Sequence, residues 1–400
     1  MPNGTFCPLL WNHLNTHPDG GASFCCISKY ENNANRPRTG DYVYNLNQDS
    51  IHSIMNSDSY KTARLQMLNG EKPDACMRCY QEEDAGVGSR REYKSRILKL
   101  DIDTAKEITN TDGSLEHIPL EFVELRLGNT CNLQCRSCDS SSSSKWRNDY
   151  AKLGKELSFT LHNNIQAPSS VYDWVDNDVF WADLLSYSDT LHRFSINGGE
   201  PTLIKKQFRF LQKLIDEGKT DYFLRYNINV TNLDESMIAI WKQFNHVQIS
   251  CSIDDIGERN EYIRWPTKWD TIIKNLNRLI QENFEIVITH TISFMNYCNV
   301  VNYYKYFAEH YPAITIIPNF VEKPHYLSPH VIPIELRNIA NAEIADYFSN
   351  NDYMYKKFLN IYNQPNNSKL WENAKEFTNR VDKMHNVNIT DFLPEFNGHI

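Results

Sequence analysis

Between residues 120 and 320 the apolar positions follow two alternating rhythms. Short apolar or alternating runs recur at 121–127 (EFVELRL), 192–197 (HRFSIN), 223–230 (FLRYNINV), 247–253 (VQISCSI), 285–292 (EIVITHTI) and 313–320 (AITIIPNF). Between them lie segments of helical length with apolar residues at three- and four-residue steps, among them 203–218 (LIKKQFRFLQKLIDEG) and 268–283 (KWDTIIKNLNRLIQEN). A period of two that gives way to 3.6 and returns predicts repeated strand–helix units on a parallel sheet. Six units fall short of the eight of a closed barrel. The predicted fold is therefore α/β, a partial TIM-like (β/α)6 barrel with an open side.

The flanks follow other patterns. Residues 1–99 are rich in turn formers and show no long amphipathic stretch before Ser57–Leu68, so a loop-rich domain stapled by metal is expected. The stretch 101–119 (DIDTAKEITNTDGSLEHIP) is charged, holds an Asp-Gly pair and ends in proline, which predicts a connection. Beyond about Ser328 the pattern is helical and aromatic, as in 335–348 and 353–362. The expected organisation is a metal-stapled domain at 1–99, a linker at 100–119, a barrel at 120–327 and a C-terminal helical extension at 328–400. The serine run at 140–144 is expected to cap the helix that follows it.

At 400 residues and 41% hydrophobic, the chain can bury a sizeable core. It has no apolar run of membrane-spanning length and no basic-then-apolar leader, so a cytoplasmic protein with no membrane partner is expected. A formal charge of -9 disfavours bulk nucleic-acid binding. In a reducing compartment, clustered cysteines point to metal rather than to disulfides. Eight of the ten are clustered: Cys7, Cys25, Cys26, Cys76 and Cys79, then Cys131, Cys135 and Cys138. Cys251 and Cys298 lie in apolar or aromatic surroundings and read as small buried hydrophobes.

The triplet in 131-CNLQCRSC-138 follows the first predicted strand, at the end of the strand where parallel barrels carry their chemistry. A structural zinc site closes with four protein ligands. A cubic [4Fe-4S] cluster held by three thiolates instead leaves one iron open to an outside amine or carboxylate. A zinc knuckle with a distant fourth ligand is the alternative. The second strand ends in 198-GGEP-201. Gly198 and Gly199 allow close backbone approach, and the Glu200 carboxylate can receive an amino acid's ammonium group. The same residues, with Pro201, also make an ordinary strand-to-helix turn.

A cysteine triplet followed by GGEP on the first two strands of a six-unit barrel resembles the radical S-adenosylmethionine (SAM) enzymes. The resemblance implies that Cys131, Cys135 and Cys138 are the catalytic ligands of a [4Fe-4S] cluster, whose unique iron binds the amino and carboxylate groups of SAM. Reductive cleavage then yields methionine and a 5'-deoxyadenosyl radical. The family often has an aromatic residue before the last cysteine, where this chain has Ser137. The same resemblance gives Gly198, Gly199, Glu200 and Pro201 to the cofactor, and makes Ser252 and Arg264 the holders of its carboxylate, a task that suits a guanidinium fork. Asn229, Thr231 and Asp254, with His290 and Asn296, stand at or near strand ends and would face ribose or substrate. A solvated Arg264, a structural Ser252 and simple strand-end caps are the alternatives.

The N-terminal stretch 7–26 (CPLLWNHLNTHPDGGASFCC) puts twelve residues between Cys7 and Gly20 and four between Gly20 and Cys25, and 76-CMRC-79 follows a segment holding Arg64 and Gly70. This arrangement resembles the auxiliary-cluster domains called SPASM and twitch. It implies that Cys7, Cys25, Cys76 and Cys79 hold one auxiliary [4Fe-4S] cluster, with Cys26 a neighbour. Those domains usually follow the barrel, and a full SPASM domain carries further cysteines, so the twitch-like form is expected here. A four-cysteine zinc site is the alternative. A fully ligated cluster suits electron transfer. The expected reaction is hydrogen abstraction from a peptide or small-molecule substrate, which is oxidised or cross-linked, with a flavodoxin- or ferredoxin-type electron donor. Two other readings stay open: a zinc-stapled, non-catalytic binding protein on the same fold, and radical SAM modification of a nucleotide or RNA.

Overall fold

Each of the six predicted runs is a strand in the computed structural model, which describes residues 4–28, 36–86, 88–162, 169–362, 365 and 367–400. In chain order the strands are β1 (His13–Thr16), β2 (Ala22–Ser23), β3 (Arg38–Thr39), β4 (Tyr42–Val43), β5 (Phe122–Leu127), β6 (Arg193–Gly198), β7 (Phe223–Ile228), β8 (His246–Ser252), β9 (Glu285–Ile292) and β10 (Thr315–Phe320). The residues fall into two compact units. One comprises Met1–Asn129, Ala167–Tyr226 and Asp234–Val247, and the other Thr130–Gln166, Asn227–Leu233 and Gln248–Ile400.

In the first unit β5 and β6 pair in parallel from Phe122↔Arg193 to Leu127↔Gly198, and β6 pairs in parallel with the start of β7. In the second, β8 runs parallel to β9, and β9 to β10. The intervening helices form where the apolar stripe predicts. Lys205–Asp216 buries Phe210, Leu211 and Leu214, and Trp269–Gln281 buries Ile272, Leu276 and Leu279. The result is an α/β fold with a mostly parallel central sheet, surrounding helices and a helical C-terminal region at Ile334–Tyr347, Asp352–Tyr362 and Ser368–His385. Among the described residues no helix is long and apolar enough to cross a membrane.

The N-terminal segment is more regular than its composition predicts. β1 pairs in parallel with β5 through His13↔Phe122, Leu14↔Val123 and Asn15↔Glu124, and β2 pairs antiparallel to β1. All four residues of β1 are buried, yet only Leu14 is aliphatic. Polar groups of the strand and of the preceding Asn12 have specific partners: Asn12 Nδ2 donates to Glu121 at 3.1 Å, His13 Nε2 meets Glu124 at 3.1 Å, and Asn15 Nδ2 donates to Ser23 at 2.8 Å, while the Asn12 and Asn15 amide oxygens have no partner among the described residues. Burial of paired polar groups is inexpensive, so the strand needs no hydrophobic run. The 100–119 stretch is also structured. Asp101 caps a helix over Ile102–Ile108, and Trp11 Nε1 donates to Thr109 Oγ1 at 2.8 Å. Cys251 is fully buried and Cys298 half-buried.

Candidate cluster sites

Cys7, Cys25, Cys76 and Cys79 line one pocket in the first unit, beside Arg90 and Arg91. The helix Asp58–Leu68 is the post to which their segments are tied. Arg64, fully buried, donates from Nε to Leu10 O at 2.9 Å and from Nη1 to Gly113 O at 3.2 Å. The Tyr60 hydroxyl donates to Ser23 O at 3.3 Å, and its ring meets Phe24 edge-on at 4.7 Å. Thr5 Oγ1 donates to Met67 O at 3.1 Å, and Tyr80, in the helix that carries Cys79, donates to Thr5 O at 2.7 Å. Gly20 turns the chain back toward Cys25 at φ +78°, where a Cβ would stand 2.7 Å from Asn45 Oδ1. Arg64 and Gly20, both noted in the motif, thus shape the pocket through the backbone. Cys26 is exposed.

Burial pushes the Cys7 and Cys25 thiols up to about 12, with Arg91 and Arg90 opposing at Cys7 and Arg90 at Cys25; Cys76 and Cys79 are also raised, again chiefly by burial. Buried thiols of this kind become thiolates only against a strong positive charge, which a metal centre supplies. The donor set fits a four-thiolate centre. Among the described residues no group of three or more His, Cys, Asp or Glu converges on a single metal-ion position. In a cubic cluster each thiolate binds a different iron, so its cysteines surround a volume rather than a point.

The triplet loop lies in the second unit and is gripped along its backbone. Gln134 N–H donates to Trp265 O at 2.7 Å and Arg136 N–H to Ile263 O at 2.8 Å. Trp146 Nε1 donates to Cys135 O at 3.0 Å. The serine run corrects an expectation: the helix Arg147–Glu156 has no side-chain cap, and neither has the 3-10 turn Ser144–Trp146 before it. Ser143 Oγ instead donates to Leu133 O at 2.6 Å, and Ser144 Oγ accepts from Cys131 N–H at 3.2 Å. The hydroxyls serve loop groups that no regular ladder satisfies. Burial pushes the Cys135 thiol up to about 12 against the pull of Arg264, and the Cys138 thiol well above its ordinary value.

Arg264 is buried rather than solvated. Its Nη1 donates to Asp254 Oδ2 at 2.7 Å, and Asp254 Oδ1 accepts the Thr291 N–H at 2.9 Å. Burial alone would lower the Arg264 pKa, but Cys135, Asp254 and Cys131 outweigh it and raise it. Its Nε is buried without a hydrogen-bond partner among the described residues. The guanidinium therefore presents an unspent donor near the triplet, as an anion site requires. Asn296 braces the same corner by donating to Asp254 O at 2.6 Å, and His290 is fully buried and stacked on Tyr303 at 3.9 Å.

Asn229 and Thr231 meet a residue the sequence did not single out. Asn229 Nδ2 donates to Asn132 Oδ1 at 2.8 Å, Asn132 Nδ2 to Thr231 Oγ1 at 2.8 Å, and Thr231 Oγ1 to Asn229 Oδ1 at 2.6 Å. This closed triangle fixes the start of the triplet loop. Ser252 donates to Asn227 Oδ1 at 3.3 Å.

The GGEP turn lies in the first unit. Glu200 is buried, and its Oε1 accepts from Thr202 N–H at 3.1 Å and Thr202 Oγ1 at 2.6 Å, capping the turn Pro201–Leu203. Gly198 is required by close approach, since a Cβ there would stand 3.0 Å from Leu127 O; Gly199 N–H donates to Gly128 O at 3.2 Å.

The family model of the radical SAM superfamily matches residues 125–306, and that of SPASM, an iron-sulfur cluster-binding domain, matches residues 7–80. The first range holds the triplet, GGEP and Arg264, and the second holds all four N-terminal pocket cysteines. Similar solved structures include native anSMEcpe with bound AdoMet, at 18% identity over 60% of this chain and 61% of that one (TM-score 0.40). Another is Streptococcus suis SuiB bound to S-adenosylmethionine, at 14% identity over 76% and 63% (TM-score 0.38). A third is TYW1 with a lysine-pyruvate adduct bound, at 16% identity over 57% and 72% (TM-score 0.31). The chain thus spans less than two thirds of the length of the first two. A sequence search of curated proteins finds no match.

Proposed function

We propose that this chain, which belongs to the radical SAM superfamily and carries an iron-sulfur cluster-binding domain N-terminal to its barrel, abstracts a hydrogen from a peptide or small-molecule substrate and oxidises or cross-links it. The observation that carries the proposal is the convergence of Cys7, Cys25, Cys76 and Cys79 on one pocket while Cys131, Cys135 and Cys138 share a separate loop. One set offers four thiolates and the other three. When bound at the triplet, a [4Fe-4S] cluster with SAM supplies a 5'-deoxyadenosyl radical.

The chain's own residues have distinct tasks in this reading. Arg264 Nε donates to the cofactor carboxylate while Asp254 holds the guanidinium in place. Glu200 receives the ammonium group. Asn229 and Thr231 hold Asn132 and, through it, the first cysteine. The Cys7, Cys25, Cys76 and Cys79 set, with no ligand position left open, would hold an auxiliary centre, which when bound would supply an acceptor for the substrate's second electron. A flavodoxin- or ferredoxin-type protein is the proposed electron donor.

Anaerobically reconstituted protein given dithionite and SAM should release 5'-deoxyadenosine, and Cys131→Ala, Cys135→Ala and Cys138→Ala should not. Undiminished release by all three variants would overturn the assignment of the triplet.

A further inference from the structure

The C-terminal helix Ser368–His385 places Asp382 and His385, one turn apart, on the scaffold of the triplet loop. Asp382 is buried, and its Oδ1 pairs with Arg136 Nη2 at 2.6 Å and accepts the Tyr262 hydroxyl at 2.9 Å. Its Oδ2 accepts the Ile389 N–H at 2.7 Å. Arg136, between Cys135 and Cys138 in sequence, is fully buried. Its Nε donates to Tyr262 O at 3.1 Å, and its guanidinium lies 3.7 Å over the Tyr262 ring.

Residues 262–265 form a strap. Ile263 and Trp265 accept backbone hydrogen bonds from the cysteine loop, and Arg264 reaches Asp254 from the same four residues. His385 stacks on Trp265 at 5.0 Å and stands 6.1 Å from Trp146, whose indole holds Cys135 O. The helix therefore touches the loop side chain, the strap and the indole together.

We propose that Asp382 is a positioning residue for the open cluster, an inference that rests on the function proposed above. By neutralising Arg136 and holding Tyr262, it fixes the cysteine loop and the Arg264 strap as one body. Cluster retention and cofactor carboxylate binding then depend on the same carboxylate. Removing it leaves Arg136 as a buried cation without its counter-charge, a strongly unfavourable state that only loop movement can relieve.

The test compares the full-length holoprotein with Asp382→Asn, Asp382→Ala and the conservative Asp382→Glu. The readouts are the rate of iron release to a chelator, resolved by cluster signal, and the change that SAM induces in the electron paramagnetic resonance spectrum of the reduced protein. Asp382→Asn and Asp382→Ala should release the SAM-responsive cluster about ten-fold faster or more, in the range usual for residues that orient metal ligands. The auxiliary signal should decay at the wild-type rate, and Asp382→Glu should recover part of the loss. Wild-type release rates with an unaltered SAM response in both variants would overturn the proposal. So would loss of both clusters at equal rates, which would mark Asp382 as a general stabilising residue. A wild-type protein with no SAM-responsive cluster would instead sink the functional reading on which the inference rests.

Discussion

Arg264 and Asp254 form an ion pair of 2.7 Å in which Asp254 is fully buried and the Arg264 Nε is left without a partner among the described residues. A buried donor left without a hydrogen bond costs about 1–3 kcal/mol, which a bound carboxylate at this position would recover. Arg264→Lys should keep the pair with Asp254 but remove the second donor. SAM affinity, measured by equilibrium binding to the holoprotein, should fall about ten-fold or more with the iron content unchanged. Unchanged affinity would make Arg264 a purely structural partner of Asp254.

Glu200 caps a turn, so its proposed part in binding must be separated from its part in folding. Glu200→Gln keeps an acceptor for Thr202 and removes the charge. It should weaken SAM binding by about 1.5–3 kcal/mol, the cost of losing a charge-assisted hydrogen bond, while Thr202→Val should change stability more than affinity. Equal affinities in wild type and Glu200→Gln would leave GGEP as a turn and nothing more.

Changing Cys76 and Cys79 together to alanine should leave 5'-deoxyadenosine release intact and stop product formation. Tyr80 ties the helix that carries Cys79 to Thr5, so loss of the metal centre also threatens folding of the domain. Thermal unfolding and iron content belong on the same preparation. A folded variant that lacks the auxiliary centre and completes turnover normally would show that the N-terminal site is structural.

Stability should depend on pH through His290. Burial lowers its pKa from 6.5 to about 4. Between those values the unfolded chain binds more protons than the native one, so stability rises with pH through the window and is lost on acidification. The full effect is about 3 kcal/mol at one pKa unit per 1.36 kcal/mol. His290→Asn should reduce the slope, with His13, His17 and His385, which burial lowers in the same direction, supplying the remainder, as read from urea unfolding at about pH 5 and about pH 7.5. A variant with the wild-type slope would assign the acid sensitivity to other groups.

The six predicted strands were legible because their apolar residues come in short or alternating runs, and the amphipathic helices because their stripes repeat at helical spacing. β1 was hidden since only Leu14 marks it as buried, while Asn12 and His13 find Glu121 and Glu124, partners more than a hundred residues away. The serine run looked like a cap because serine before a helix usually is one; here the hydroxyls of Ser143 and Ser144 had unpaired loop groups within reach. The cysteines stood out by spacing alone. Asn132 and Asp382 carried no such signal, since a lone amide or carboxylate acquires its task only when distant segments meet.

The central claim is one open and one closed iron-sulfur site in a single chain. Counting iron, acid-labile sulfide and zinc in anaerobically purified protein tests it most directly. Two cubic clusters require about eight irons and about eight sulfides per chain, falling to about four of each when Cys131, Cys135 and Cys138 are replaced together. Stoichiometric zinc with no labile sulfide would contradict the account and favour a zinc-stapled binding protein on the same fold.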